Sequence, residues 1–242
     1  VTGNAGYGGN HSFHSLINLL GKGIDEKPEM VIWMHNINDF SLLSKTGSYF
    51  ISPRNRDVLH ISKPAAEASY KGRIKNLGNA FFQAAIPNIY LRAYMLTKPQ
   101  SGQVDEWAGY RELDVVEDSI IQQTFKSSLK SFIAIAKEHR IQVVLMTQFN
   151  RINEENSEIM KALGGGSHYS DEHFIALYKS LNSIIRQVAV EENVPLIDLA
   201  KRIPATSDYL YDAVHLNNAG SKLVANIIAS DLSLIQREVE PA

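Results

Sequence analysis

The sequence predicts an α/β fold, a parallel sheet wound by helices on both faces. Three observations carry that expectation. Short, largely apolar runs at 31–34, 143–146 and 194–199 read as strands buried on both faces, because a strand with one wet face would alternate. Stretches at about 120–139 and 171–192 repeat apolar residues every three or four positions and read as helices standing between those strands. Polar or glycine-rich loops adjoin the runs, and in an open parallel sheet ligands collect at the carboxyl ends of the strands.

With 242 residues, 44% hydrophobic and 21% charged, the chain suits one globular domain over 1–242 with a sizeable core. A net charge of −2, without basic runs, gives no ground for a nucleic-acid partner. Cysteine is absent, which excludes disulfides and thiolate metal sites. No apolar run reaches the length of a membrane span. The sequence opens on Val1-Thr2-Gly3, without methionine, in what reads as a strand-to-loop transition. The expectation is an N-terminally incomplete domain, in which a signal peptide or anchor would be invisible.

In chain order, residues 1–10 form a glycine-rich loop, followed by an amphipathic helix carrying Phe13, Leu16, Leu19 and Leu20. The strand at 31–34 runs into His35-Asn36-Ile37-Asn38-Asp39, a polar loop at its carboxyl end. Residues 41–118 are aromatic and broken by Pro53, Pro64, Pro87 and Pro99; a connection this long reads as a lid or substrate-binding insertion. Its segment 81–90 offers a surface for a membrane or a lipid chain, or simply fills the insertion's own core. A second loop, 153–169 with Gly164, Gly165 and Gly166, reads as a rim element. The last helix carries Leu216, Leu223, Val224, Ile227 and Ile228 on one stripe, with Asn217 or Asn218 as its cap.

Asp212 and His215 lie three positions apart in the loop just before that helix. Such a pair suits a histidine general base and its orienting carboxylate, which sets the tautomer and stabilises the imidazolium. Taken alone, it reads more readily as a turn-starting aspartate beside an ordinary polar histidine. Gly9, in Gly8-Gly9-Asn10, lets the backbone approach a ligand closely. Asn38 offers an amide donor in the loop after a buried strand. Two donors converging on one point make an oxyanion hole; singly, glycines turn the chain and an asparagine there caps a helix.

In order and spacing these blocks resemble the SGNH, or GDSL-type, hydrolases, a family of esterases and lipases. Asn4-Ala5-Gly6-Tyr7-Gly8-Gly9-Asn10 looks like the family's second block, with Gly9 at the oxyanion glycine. Asn36-Ile37-Asn38-Asp39 looks like the third block, G-x-N-D, with Asn38 at the oxyanion asparagine. Asp212-Ala213-Val214-His215, followed by Asn217 and Gly220, looks like the fifth block, D-x-x-H. The resemblance implies a three-layer α/β/α sandwich around a parallel, flavodoxin-like sheet. It implies a serine esterase or acyl hydrolase acting on a lipid or carbohydrate ester, with catalytic His215 and Asp212 and an oxyanion hole of Gly9 and Asn38. No metal or organic cofactor is expected. An extracytoplasmic or membrane-associated setting is favoured, with membrane contact through the insertion.

The sequence departs from that pattern twice. No Gly-Asp-Ser block occurs in it, so the nucleophile and the first strand are expected outside this chain, in a missing N-terminal segment. Asn36 replaces the third-block glycine and is expected to take the positive φ that asparagine tolerates. Ser12 and Ser15 fall on a helix rather than a nucleophile elbow. His11, His14 and His35 lack a convincingly placed carboxylate for a metal site and read as structural or rim residues, and Asp39 as a hydrogen-bond partner for its loop. Two other classes stand beside the esterase: a catalytically inactive SGNH-like module that binds a glycan or acyl chain, and an NAD(P)-dependent dehydrogenase. Against the latter, the glycines miss the dinucleotide register, and only Tyr94 and Lys98 have a dehydrogenase spacing.

Overall fold

The structure is a computed structural model and describes residues 2–6, 8–50, 115–152 and 169–239. Three parallel strands, β1 (Met30–Met34), β2 (Gln142–Met146) and β3 (Leu196–Ile197), lie in the order β1-β2-β3. Trp33 pairs with Leu145 across the first ladder. The helices are α1 (Ser12–Asn18), α2 (Ile37–Thr46), α3 (Asp118–Glu138), α4 (Asp171–Glu191), a single turn α5 (Leu199–Arg202) and α6 (Asn218–Val239). A π-helical turn, Leu19–Gly23, extends α1.

Side chains alternate across a strand, so Val144 and Met146 face away from Val143 and Leu145. Val144 and Met146 enter a cluster with Ile197, Leu199 and Leu210, against which Leu223, Val224, Ile227 and Ile228 of α6 pack. The opposite face meets α3, where Trp33 approaches Phe125 and Phe132 with ring centroids 5.9 and 6.5 Å away. α4 packs beside α3, and Phe40 of α2 sits edge-on against Phe174 at 4.3 Å. Helices thus cover both faces of a parallel sheet, as the apolar runs predict. Among the described residues no helix is long and apolar enough to cross a membrane.

The expected strand at 194–199 shortens to two residues. Pro195 has no N–H to give; its carbonyl accepts from Leu145 at 2.9 Å, and Asp198 then turns out of the sheet to open α5. Residues 41–46, counted with the expected insertion, complete α2, where Leu42 and Leu43 are wholly buried. Residues 51–114 of that insertion and most of the 153–169 loop lie outside the described residues, as do Tyr94 and Lys98.

Candidate active site

Asp212 and His215 sit in a loop braced from several sides. Leu210 and Leu216 form an antiparallel bridge, and Tyr211 N–H donates to the His215 carbonyl at 3.0 Å. Asn217 clamps both ends: its Nδ2 donates to the carbonyls of Ser207 and Asp208, while its Oδ1 accepts from the N–H groups of Ala219 and Gly220. The last two bonds satisfy donors that the start of α6 leaves open, so Asn217, of the two candidates, is the cap.

Within the loop the two Asp212 oxygens divide the work. Oδ1 accepts from the backbone of Val214 at 2.9 Å and His215 at 2.8 Å, an Asx-type turn. Oδ2 lies 2.7 Å from His215 Nδ1. Partial burial alone would raise the Asp212 pKa; these hydrogen bonds and the imidazole outweigh it, and the net shift is downward. An ionised Asp212 accepts a proton-bearing Nδ1, which leaves Nε2 of a neutral His215 as the basic nitrogen. That imidazole is 64% exposed, and Nε2 makes no hydrogen bond among the described residues.

The glycine loop and Asn38 meet through one hydrogen bond. Gly9 has φ 83°, in a turn that a side chain would strain. The next residue, Asn10, accepts a 2.8 Å hydrogen bond from Asn38 Nδ2. Asn38 lies in the first turn of α2, and its second amide hydrogen has no partner among the described residues. Asp39 is wholly buried and accepts from Ser12 N–H at 2.9 Å and the Tyr49 hydroxyl at 2.6 Å, the structural role its position suggests. Asn36 corrects the sequence reading. Its φ is −170°, not positive, and its buried side chain donates to the Tyr178 carbonyl at 3.2 Å.

No hydrogen bond joins Gly9 and Asn38 directly to Asp212 and His215 among the described residues. The link runs through the segment after β2. Gln148 Oε1 accepts from Ile37 N–H at 2.8 Å and from the Tyr178 hydroxyl at 3.0 Å, and Asn182 holds the Gln148 backbone at both N–H and C=O. Arg151 N–H then donates to Ala213 at 2.8 Å, and its guanidinium to Leu210 at 2.9 Å. Sequence reasoning missed Gln148, Asn182 and Arg151; the polar run 147–151 after an apolar strand was the available signal.

A second serine–histidine pair lies between α1 and the end of β1. Ser15 Oγ lies 2.7 Å from His35 Nε2, but His35 Nδ1 stands 3.8 Å from Asp39 Oδ2, beyond hydrogen-bond range. Burial lowers the His35 pKa, offset in part by Asp39. Among the described residues the one hydrogen bond of the Ser15 hydroxyl is that to His35, so the pair ties α1 to the β1–α2 junction. The His11 and His14 rings touch at a tilt of 49° with centroids 3.9 Å apart, and His11 stacks on Tyr49 at 4.8 Å. Among the described residues no three His, Asp or Glu side chains are grouped to hold a metal.

The family sequence model described as "SGNH domain (fused to AT3 domains)" matches residues 49–230, about three quarters of the chain, including Asp212 and His215. The chain belongs to the SGNH hydrolase family. Membership brings acyl-ester hydrolysis as the general class of chemistry; Gly9 and Asn38 precede the matched span. The chain is also similar to three solved structures. A Bacteroides fragilis NCTC 9343 protein described as an acylhydrolase shares 16% identity over 94% of this chain and 72% of its own, with TM-score 0.49. A GDSL-like lipase from Bacteroides thetaiotaomicron VPI-5482 shares 14% over 94% and 73%, with TM-score 0.48. The acetyl xylan esterase AlAXEase shares 15% over 93% and 78%, with TM-score 0.46. No curated protein matches the chain significantly.

Proposed function

We propose that this SGNH domain is a serine-type esterase acting on an acyl ester of a lipid or glycan, with His215 as general base, Asp212 as its orienter, and Gly9 and Asn38 as oxyanion donors. The observation that carries the reading is the 2.7 Å contact between Asp212 Oδ2 and His215 Nδ1, which leaves Nε2 directed to exposed space. In the reaction His215 Nε2 takes the proton of a serine hydroxyl as that oxygen attacks the ester carbonyl. The Gly9 N–H and the second Asn38 amide hydrogen meet the tetrahedral oxyanion, and His215 returns the proton to the leaving alcohol. Water repeats the cycle on the acyl-enzyme. The nucleophilic serine belongs to a segment outside this sequence, carried by a strand along the edge of β1 that has no partner strand among the described residues. Ile32, in the middle of that apolar strand, is 41% exposed, which favours such a neighbour.

Intact mass and N-terminal sequencing of the protein isolated from its source, beside hydrolysis of short-chain p-nitrophenyl esters, test both parts. A Gly-Asp-Ser segment together with turnover is the expected result. In the same protein His215→Ala should lower kcat by about 10⁴ or more while leaving the melting transition in place. Undiminished turnover in that variant, or a protein that begins at Val1 and hydrolyses no ester, overturns the reading.

A further inference from the structure

We propose that Tyr211 is a positioning residue for His215: it holds the plane of the imidazole, where Asp212 holds only one direction in that plane. The proposal rests on the catalytic reading of His215. A single hydrogen bond from Nδ1 to Asp212 Oδ2 fixes where one corner of the ring points. It leaves the ring free to swing about the hydrogen-bond axis, because acceptance at a carboxylate oxygen tolerates a broad range of angles. A histidine with 64% of its side chain exposed gets little restraint from packing.

Tyr211 supplies the missing restraint. Its ring lies 11° from coplanar with the imidazole, with centroids 5.6 Å apart, the offset-stacked arrangement that aromatic pairs favour. The backbone makes this a fixed arrangement. Tyr211 N–H bonds to the His215 carbonyl, and Leu210 bridges Leu216 beside it, so Tyr211 and His215 are cross-strand neighbours with side chains on the same side. Burial does not explain the ring's place, since Tyr211 is 66% exposed. Its hydroxyl makes no hydrogen bond among the described residues, so the aromatic ring is the part in use.

The stack also matters at the moment of reaction. When His215 takes the serine proton it becomes a cation beside an aromatic ring, within the roughly 6 Å over which a ring attracts positive charge. That attraction is absent while His215 is neutral, so it favours the transition state over bound substrate and acts on kcat rather than KM.

Three variants of the full-length protein, Tyr211→Ala, Tyr211→Leu and Tyr211→Phe, decide it by two readouts. In ester turnover, Tyr211→Ala and Tyr211→Leu should each lower kcat about fivefold, the scale of an exposed cation–π contact, with KM nearly constant; Tyr211→Phe should restore wild-type values. In ¹H–¹³C NMR, the His215 ring protons, assigned by their loss in His215→Ala, should carry a ring-current shift that disappears in the Ala and Leu variants and persists in Phe. Wild-type kcat in Tyr211→Ala, a loss of KM alone, or unmoved His215 resonances would overturn the proposal. The spectral readout needs no turnover. An inactive wild-type protein would therefore sink the esterase reading separately, and the NMR series would still decide the stack.

Discussion

In the proposed mechanism Asn38 performs two tasks with one amide. One hydrogen holds the Asn10 carbonyl at 2.8 Å, which ties the glycine loop to α2; the other would meet the oxyanion. Loss of an oxyanion donor alone raises a barrier by about 3 kcal/mol, and loss of the tie also lets Gly9 drift from the same oxyanion. Asn38→Ala should therefore lower kcat by about 10²- to 10³-fold with a smaller change in KM. Steady-state kinetics on the full protein check this, and a change confined to KM would make Asn38 a substrate-binding group instead. The local contacts of Asp212 and Asn217 were legible because their partners are close in sequence: Asp212 meets His215 three positions on, and Asn217 caps Ala219 and Gly220. Asn36 and Gln148 were not legible for the opposite reason. Asn36 finds Tyr178 across 142 positions, and Gln148 finds Ile37 across 111, so no local pattern announces either.

The elements show why the site loop depends on the helix behind it. A Cβ built on Gly220 would stand 2.1 Å from the Tyr209 carbonyl oxygen and 2.8 Å from Leu216 Cδ2. The first turn of α6 thus presses directly on the chain that enters the Asp212 loop. In an open helix, glycine to alanine gains about 1 kcal/mol; here the sign reverses. Gly220→Ala should destabilise by about 3 kcal/mol through overpacking. It should also displace Tyr209, whose carbonyl accepts from Asn217 N–H at 2.9 Å, and with it the clamp on the loop. Urea denaturation with ester kinetics on the same variant tests this: stability equal to wild type would refute the contact. The element order was readable from apolar periodicity, and α3 and α4 fall within two residues of the expected spans. Lengths were less readable where a single residue decides them. Pro195 and Asp198 shorten β3, and the pull of Leu42 and Leu43 into the core carries α2 into what the sequence reads as insertion.

At the scale of the whole molecule, the sheet's carboxyl edge is held by charge as well as by packing, which gives its stability a defined pH dependence. Asp198, leaving β3, takes a two-point grip from Arg186 Nε and Nη2 of α4, both at 2.8 Å, and a 2.8 Å bond from Thr147 Oγ1 after β2. Burial works against its ionisation. The Arg186 bonds, the Thr147 bond and Lys201 overcome that and bring its pKa from 3.8 down to about 2. A carboxylate depressed on folding contributes stability that is complete above its unfolded pKa and lost as pH falls through its folded one. For Asp198 the window runs from about 4 down to about 2, and the depression corresponds to about 2 kcal/mol. Asp212 is shifted in the same direction and adds to the same acid limb, weakened by solvent because its side chain is 44% exposed. Urea melts at pH 7, 4 and 2.5 should show wild-type stability declining across the first interval, as His35, whose pKa burial lowers, is protonated first in the unfolded chain, and falling further across the second as Asp198 is protonated. Asp198→Asn should start about 2 kcal/mol lower at pH 7, because the Arg186 guanidinium keeps its place without a counter-charge. It should then lose less on acidification, having no carboxylate there to protonate. Parallel acid limbs in the two proteins would show that the Asp198 grip does not hold the strand edge, and that Asp212 and other carboxylates carry the acid response.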